Sequence, residues 1–294
     1  MTSSRESWIA RAQPRLGTLV SVRIGGLPRE RARLALATAF QAISEIHTLM
    51  SFHDPASDVS RLNGAAATRA VRVDARTLHV LRRADDISRA SHGAFDITVA
   101  PLLVERGFLP RPASFEAPDP AAFFEDIEFL SGRRVRFKRP LWIDLGGIAK
   151  GYAVDHALER MDLPADAQVC INAGGDLRVA GPHCESVLLR VEGPPAETAP
   201  VVRLSEGSLA TSTGRRGASR NGVAGGPHFH GARRTAVGRR TAASVIAPDC
   251  LDADALTKVV LALGLRSAAI LRRFQATAFM HDSQGRWHRI GAGQ

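Results

Sequence analysis

Apolar residues recur at helical spacing through residues 29–50. Leu36, Phe40, Ile43, Ile46 and Met50 fall on one face, which predicts an amphipathic helix whose stripe belongs to the core. Residues 16–24 alternate apolar and polar positions and predict a strand stopped by Gly25-Gly26. A second helical pattern runs over 75–91 with Leu78, Leu81 and Ile87 on its face and Gly93 at its end. Further on, the pattern predicts strands at 135–137 and 141–143, a helix at 149–161, and strands at 169–172, 176–179 and 187–191. A strand at 243–246, a helix at 252–263 and a hairpin of 276–280 with 287–290, turning over 282–285, complete it. Strands and helices mix without a regular βαβ rhythm or an internal repeat. The expected fold class is therefore α+β with mixed sheets and packed helices. Residues 16–294 would form one large domain or two tightly joined subdomains, after an N-terminal tail at 1–15. Residues 214–240, with seven Arg and little periodicity, read as a long exposed loop.

The chain has 294 residues, 45% hydrophobic and 23% charged, values that exclude a disordered or collagen-like chain. No apolar run reaches the ~18–20 residues of a membrane-spanning helix, so no membrane span is expected. The formal net charge is +10, yet only three of the 39 basic residues are lysines: Lys138, Lys150 and Lys258. This charge raises a nucleic-acid reading. Against it, the arginines are spread along the whole chain, aromatics are 5%, and no nucleic-acid motif is present, so no nucleic-acid partner is expected. Cys170, Cys184 and Cys250 form no C-x-x-C pair and read as buried free thiols. With no signal-length apolar stretch in residues 1–15, the expectation is a cytoplasmic protein.

Five segments carry candidate chemistry. Ile143-Asp144-Leu145-Gly146-Gly147-Ile148-Ala149-Lys150 takes a strand through an acid and paired glycines into a helix. It reads equally as a tight connection or as an anion cradle of helix-start amides. Asn172-Ala173-Gly174-Gly175-Asp176 reads as a hairpin turn or a backbone approach to a ligand. In Gly93-Ala94-Phe95-Asp96-Ile97-Thr98, Asp96 is either a helix N-cap or an acceptor for a ribose hydroxyl or adenine amine. Met50-Ser51-Phe52-His53 leads into a polar cluster, Ser57-Asp58-Val59-Ser60-Arg61-Leu62-Asn63. Ala253-Asp254-Ala255-Leu256-Thr257-Lys258 places oxygen ligands suited to magnesium, or ordinary capping groups, on a late helix.

Taken in order, these segments resemble the ApbE family of FAD:protein FMN transferases, from about Leu16 to Gly264, together with Gly17-Thr18, Ser208-Leu209-Ala210-Thr211-Ser212 and Ser244-Val245-Ile246-Ala247-Pro248-Asp249. The resemblance implies an ApbE-like fold. It also implies metal-assisted transfer of FMN from FAD to a Ser/Thr hydroxyl of an acceptor protein, with AMP released. It assigns FAD contacts to Ala94, Phe95, Asp96, Asp144 and Lys150, puts His53 where the family packs an aromatic on the nucleotide, and lets FAD cross the turn at Gly174. It assigns Mg²⁺ to the Gly147 carbonyl, to Asp254 and to a Thr four residues on.

Two departures stand out. Lys258 occupies the place of that Thr, and Thr257 comes one residue early. An ammonium cannot ligate a cation. Either Thr257 completes the metal site, or Lys258, sharing a helix face with Asp254, neutralises the diphosphate itself. The family's His-x-x-Asp-Pro-x-Thr-Gly run survives here only as His228, which is the candidate proton acceptor, with His230 as the alternative. The pairs Arg233-Arg234 and Arg239-Arg240 read as a solvated face or as phosphate ligands. A second expectation is a protein of this fold that holds FAD without turning it over.

Overall fold

The alternating segments assemble in the order in which they occur. The computed structural model describes residues 8–112, 115–191, 199–214, 226–237 and 241–291. One eight-stranded sheet carries, from edge to edge, Ile9–Arg15, Thr18–Gly25, Gln168–Ala173, Asp176–Ala180, Gly207–Thr213, Ala242–Ala247, Thr277–His281 and Trp287–Gly291. Every neighbouring pair is antiparallel. A three-stranded sheet of Val71–Arg72, Arg134–Phe137 and Ile127–Leu130 stands apart.

The helices are α1 (Arg29–Met50), α2 (Asp58–Ala65), α3 (Ala75–Ala90), α4 (Ala100–Glu105), α5 (Ala149–Arg160), α6 (Cys250–Leu263) and α7 (Ala268–Arg273). The two-residue period of the strands divides the core. Val20, Val22, Ile24, Val169 and Ile171 face Leu36, Phe40 and Ile43 of α1 and Val154 and Ala157 of α5. From the other face Cys170, Leu177, Val179 and Leu209 meet Val202, Leu204 and Leu189 of a separate hairpin, Glu185–Leu188 with Val201–Leu204.

Helices α5 and α6 cross closely at Gly151, where a Cβ would collide with the Cys250 carbonyl oxygen. Each helix caps the other. The Gly151 amide donates to Asp254 Oδ2 at 3.2 Å. In return the Cys250 and Leu251 amides donate to Asp155 Oδ1 and Oδ2 at 2.9 and 2.8 Å. These N–H groups have no partner inside their own helix, so each carboxylate satisfies donors that burial would otherwise leave unpaired. Burial pushes the Asp155 carboxyl up to about 7 against the pull of those two amides.

The α1 stripe and the α5, α6 and C-terminal hairpin patterns stand where the sequence puts them, within a residue or two. Four expectations need correction. Ile9–Arg15 is an edge strand rather than part of a tail, and Leu16-Gly17, at φ 53° and 71°, is the turn that folds it back on Thr18–Gly25. Its polar side chains hid it, because an edge strand buries little. Residues 141–143 join no ladder. Asn63 clamps them instead, its Nδ2 donating to the Ile143 carbonyl at 3.0 Å and its Oδ1 accepting the Ile143 amide at 2.8 Å. The 214–240 stretch is not uniformly exposed. Phe229–His230 pairs with Thr235–Ala236 and both Phe229 and His230 are buried, while 215–225 and 238–240 lie outside the described residues. Cys184 is exposed, unlike Cys170 and Cys250.

Candidate active site

A cavity of 490 Å³ opens where the 95–99 turn, the 144–150 connection, the Gly174 turn, the end of Gly207–Thr213, residues 227–229 and Lys258 of α6 meet. Phe95, Leu103, Phe108, Leu109 and Phe229 give its lining an apolar part, and Asp96, Asp144, Lys150 and Lys258 bring charge to it.

Asp96 caps the turn Ile97–Val99. Its Oδ1 accepts the Thr98 amide at 2.8 Å, and its Oδ2 is buried with no hydrogen-bond partner. Burial pushes this carboxyl up to about 6, although the Thr98 amide and the Arg234 guanidinium, 3.8 Å away, oppose it. A buried, unpartnered acceptor on a cavity wall calls for a donor from a ligand. Asp144 is anchored by its own amide, which donates to the Ile97 carbonyl at 2.9 Å, and its Oδ2 accepts the Gly146 amide at 3.0 Å. Burial pushes it, too, up to about 6. Gly174 and Gly175 both have positive φ, 65° and 105°, as a two-residue hairpin turn demands. A Cβ on Gly174 would also strike Thr18. The turn is a hairpin, and Gly174 also lines the cavity.

Two of the three lysines converge here. Lys150 donates to Asp176 Oδ2, and its Nζ stands 3.4 Å from Asp254 Oδ2. Lys258 donates to Asp254 Oδ1 and, at 2.9 Å, to the Asp254 carbonyl. Burial opposes the charge on Asp254, but Lys150 and Lys258 outweigh it and hold the carboxyl below its usual range. Burial also opposes the charge on Lys150, and Asp254 with Asp176 lift it above the usual lysine value. The imidazole of His228 lines the cavity beside this cluster. Burial, reinforced by Lys258, pushes it down to about 3, so it is neutral at pH 7.

Phe95, Asp96, Asp144, Gly147, Lys150, Gly174 and His228 thus share one cavity. His53 does not line it; its amide donates to Ser51 Oγ and its ring lies edge-on to Phe52. Ala94 is fully buried behind the wall, and its carbonyl accepts the Gly231 amide at 3.0 Å. Asp254 is buried behind the lysines. His230 lies elsewhere, its Nδ1 3.4 Å from the Arg233 amide. Arg234 is neither a solvated face nor a phosphate ligand: it pins the Thr98 carbonyl and hydroxyl at 3.1 and 2.9 Å. Arg239-Arg240 lie outside the described residues. Thr211 and Ser212, from a segment that carries the resemblance, and Thr213 also line the cavity; the sequence assigns them no site role, since hydroxyls at a strand end look like any polar strand face.

The residues present do not fit the magnesium ion that the resemblance implies. Both Asp254 oxygens are engaged by ammonium or amide donors. The Thr257 hydroxyl is spent on Ser212 Oγ at 2.8 Å and on the Asp254 carbonyl at 2.6 Å. Lys258 Cε lies 3.5 Å from where a Cβ on Gly147 would stand. A divalent ion about 4 Å from that ammonium meets a repulsion of roughly 8 kcal/mol at an effective dielectric of about 20. Among the described residues no group of three or more His, Cys, Asp or Glu is arranged to hold a metal.

The chain as a whole is similar to known proteins. The Klebsiella pneumoniae protein named FAD:protein FMN transferase is 28% identical over 188 residues, 60% of this chain and 54% of that one, so the match spans about half the relative's length. The Salmonella typhimurium protein of the same name is 25% identical over 295 residues, 92% of this chain and 83% of that one. The solved ApbE protein of Thermotoga maritima has a TM-score of 0.82 at 24% identity over 97% of each chain. The flavin transferase ApbE of Vibrio cholerae has a TM-score of 0.78 at 20% identity, over 97% of this chain and 96% of that one. Both structural likenesses show the α+β fold. The ApbE family model matches residues 16–280, and the chain belongs to the ApbE family.

Proposed function

We propose that the chain transfers FMN from FAD to a Ser or Thr hydroxyl of an acceptor protein and releases AMP. The observation that carries this reading is a single cavity with an apolar wall, two lysines and an Asp96 whose Oδ2 accepts no hydrogen bond. The names of the relatives support the same reaction. Asp96 and Asp144 accept from the hydroxyl and amine groups of the nucleotide, and Phe95 packs on it. Lys150 and Lys258 face the diphosphate.

Transfer of this kind is mostly positioning and neutralisation of oxygen charge. The acceptor oxygen attacks the FMN-side phosphorus. A new phosphoester bond forms, the bond to the bridging oxygen breaks, and AMP leaves with that electron pair. His228 takes the hydroxyl proton. It is neutral and free to accept, but its depressed basicity limits it. The negative diphosphate beside Lys258 offsets the smaller, coulombic part of that depression, while burial, the larger cause, remains. No step is routed through Mg²⁺, because the donors around Asp254 do not fit it. Free cysteines suit a reducing compartment, and the cytoplasm is part of the proposal. No described helix is long and apolar enough to cross a membrane.

The occupied Asp254 favours one other reading, a protein that holds FAD without turnover. Incubation with FAD and a host lysate separates the two. Transfer leaves flavin fluorescence on a protein band in a denaturing gel; a holder leaves none.

A further inference from the structure

We infer that Lys258, braced by Asp254, takes the place of a divalent cation, so that this cavity binds the diphosphate of its nucleotide without metal. The inference rests on the proposed FAD reading.

Four observations carry it. Lys258 is four residues after Asp254 on α6, so both point from one helix face, and the ammonium donates to the Asp254 carboxylate and carbonyl together. Those bonds use two of the three N–H donors of an ammonium and leave one for a ligand in the cavity that Lys258 lines. The stem of Lys258 runs beside Gly147, so it occupies the gap between the Gly147 backbone and Asp254. The hydroxyl of Thr257 is buried in bonds to Ser212 and to its own helix, and cannot turn to a metal without breaking both.

Asp254 then has a changed task. It holds Lys258 and Lys150 on its two oxygens and so fixes two ammonium groups at one end of the cavity. Lys150 is further fixed by Asp176. A lysine supplies one positive charge where the ion would supply two, but it needs no dehydration and is present in every molecule. The ligand class is a nucleotide carrying a diphosphate, taken up in chelator as readily as in magnesium.

The test is FAD binding by flavin fluorescence quenching in EDTA and in Mg²⁺, for the parent, Lys258→Met and Lys258→Thr, with Mn²⁺ titration by electron paramagnetic resonance on the same proteins. The parent is expected to bind FAD equally in both buffers and to leave Mn²⁺ free. Lys258→Met loses about 10–100-fold in affinity in EDTA, the range of a lost charge-assisted hydrogen bond. Lys258→Thr loses as much in EDTA, recovers in Mg²⁺ and gains a Mn²⁺ site. A parent that binds FAD only in Mg²⁺, or that binds Mn²⁺ tightly, overturns the inference while leaving the FAD reading intact. So does a folded Lys258→Met that matches the parent in EDTA. A parent that binds FAD in neither buffer overturns both. The comparison of buffers on the parent needs no variant to fold.

Discussion

The Lys258 ammonium donates to the Oδ1 of Asp254 and to the Asp254 carbonyl, so one side chain grips another residue at two points on one helix turn. Asp254 is fully buried. Removing it strands the Lys258 ammonium and the Gly151 amide, and leaves Lys150 with Asp176 alone. Asp254→Ala is expected to lower unfolding free energy by roughly 3–5 kcal/mol, the usual cost of breaking one side of a buried pair. Lys258→Met in the same chain should return part of that loss, because it removes a stranded charge. Denaturant unfolding of the single and double variants reads this. A double variant as unstable as the sum of its parts contradicts the pairing.

Asp96 gives a pH signature. Its carboxyl is raised from 3.8 to about 6 by burial, so the native state prefers the protonated form. That contribution is full below the ordinary value near 3.8 and is lost as pH rises through about 6. Asn at this position keeps an oxygen for the Thr98 amide and carries no charge to lose. The stability difference, Asp96→Asn minus parent, should therefore grow in favour of the variant by roughly 1–3 kcal/mol as pH rises from about 4 to about 7. Melting curves across this range measure it. A constant difference contradicts a buried, destabilised carboxylate.

The same residue bears on binding. At neutral pH the ionised Asp96 has an oxygen waiting for a donor. Asp96→Ala and Asp144→Ala should each weaken FAD binding by about 10-fold or more, the size of one hydrogen bond to a charged acceptor. Fluorescence quenching titrations test this. Unchanged affinity in both folded variants removes FAD from this end of the cavity.

How much of this was legible in the sequence follows from what each residue advertises. The α1 stripe from Leu36 to Met50 declares a buried face at helical spacing, and it stands as read. Paired glycines with neighbouring acids mark the stretches at Asp144 and Gly174 as turns or ligand approaches without deciding between them. The spacing of Asp254 and Lys258 puts both on one helix face and leaves open whether they pair or Thr257 completes a metal site; they pair. By contrast, Ile9–Arg15 has a burial pattern too polar to separate from a tail. His53 follows α1 in the chain, but nothing in the spacing of residues says whether a loop turns toward a cavity, and this one does not line it. Arg234 looked like surface charge within a run of arginines; its role depends on meeting Thr98 across 136 residues of chain. Asp155 and Asp254 exchange caps between two helices, and such long-range capping leaves no local signature.

The crossing of α5 and α6 is sensitive to a single methyl. Gly151→Ala places a Cβ against the Cys250 carbonyl oxygen and the Asp254 side chain. Main chain cannot yield as a side-chain tip can, so a loss of roughly 1–3 kcal/mol or more is expected, with weaker FAD binding as Asp254 shifts. Thermal melting reads the first effect. A variant as stable as the parent would mean that the helices stand farther apart.

His228 should separate binding from chemistry. His228→Ala removes the proton acceptor but leaves Asp96, Asp144, Lys150 and Lys258 in place. AMP release is expected to fall about 10²–10⁴-fold, the usual contribution of a general base, while FAD affinity changes little. Equal losses in affinity and rate would make His228 a wall of the cavity and no more.

The account as a whole rests on covalent transfer, and its most direct measure is stoichiometry. The protein is incubated with FAD and an acceptor-containing lysate in EDTA, AMP is quantified by chromatography, and flavin that survives denaturation on protein is quantified in the same sample. The account predicts one AMP released for each FMN bound covalently to protein, with both signals lost in His228→Ala. FAD recovered intact from the protein, with neither AMP nor protein-bound flavin formed in EDTA or in Mg²⁺, would contradict it.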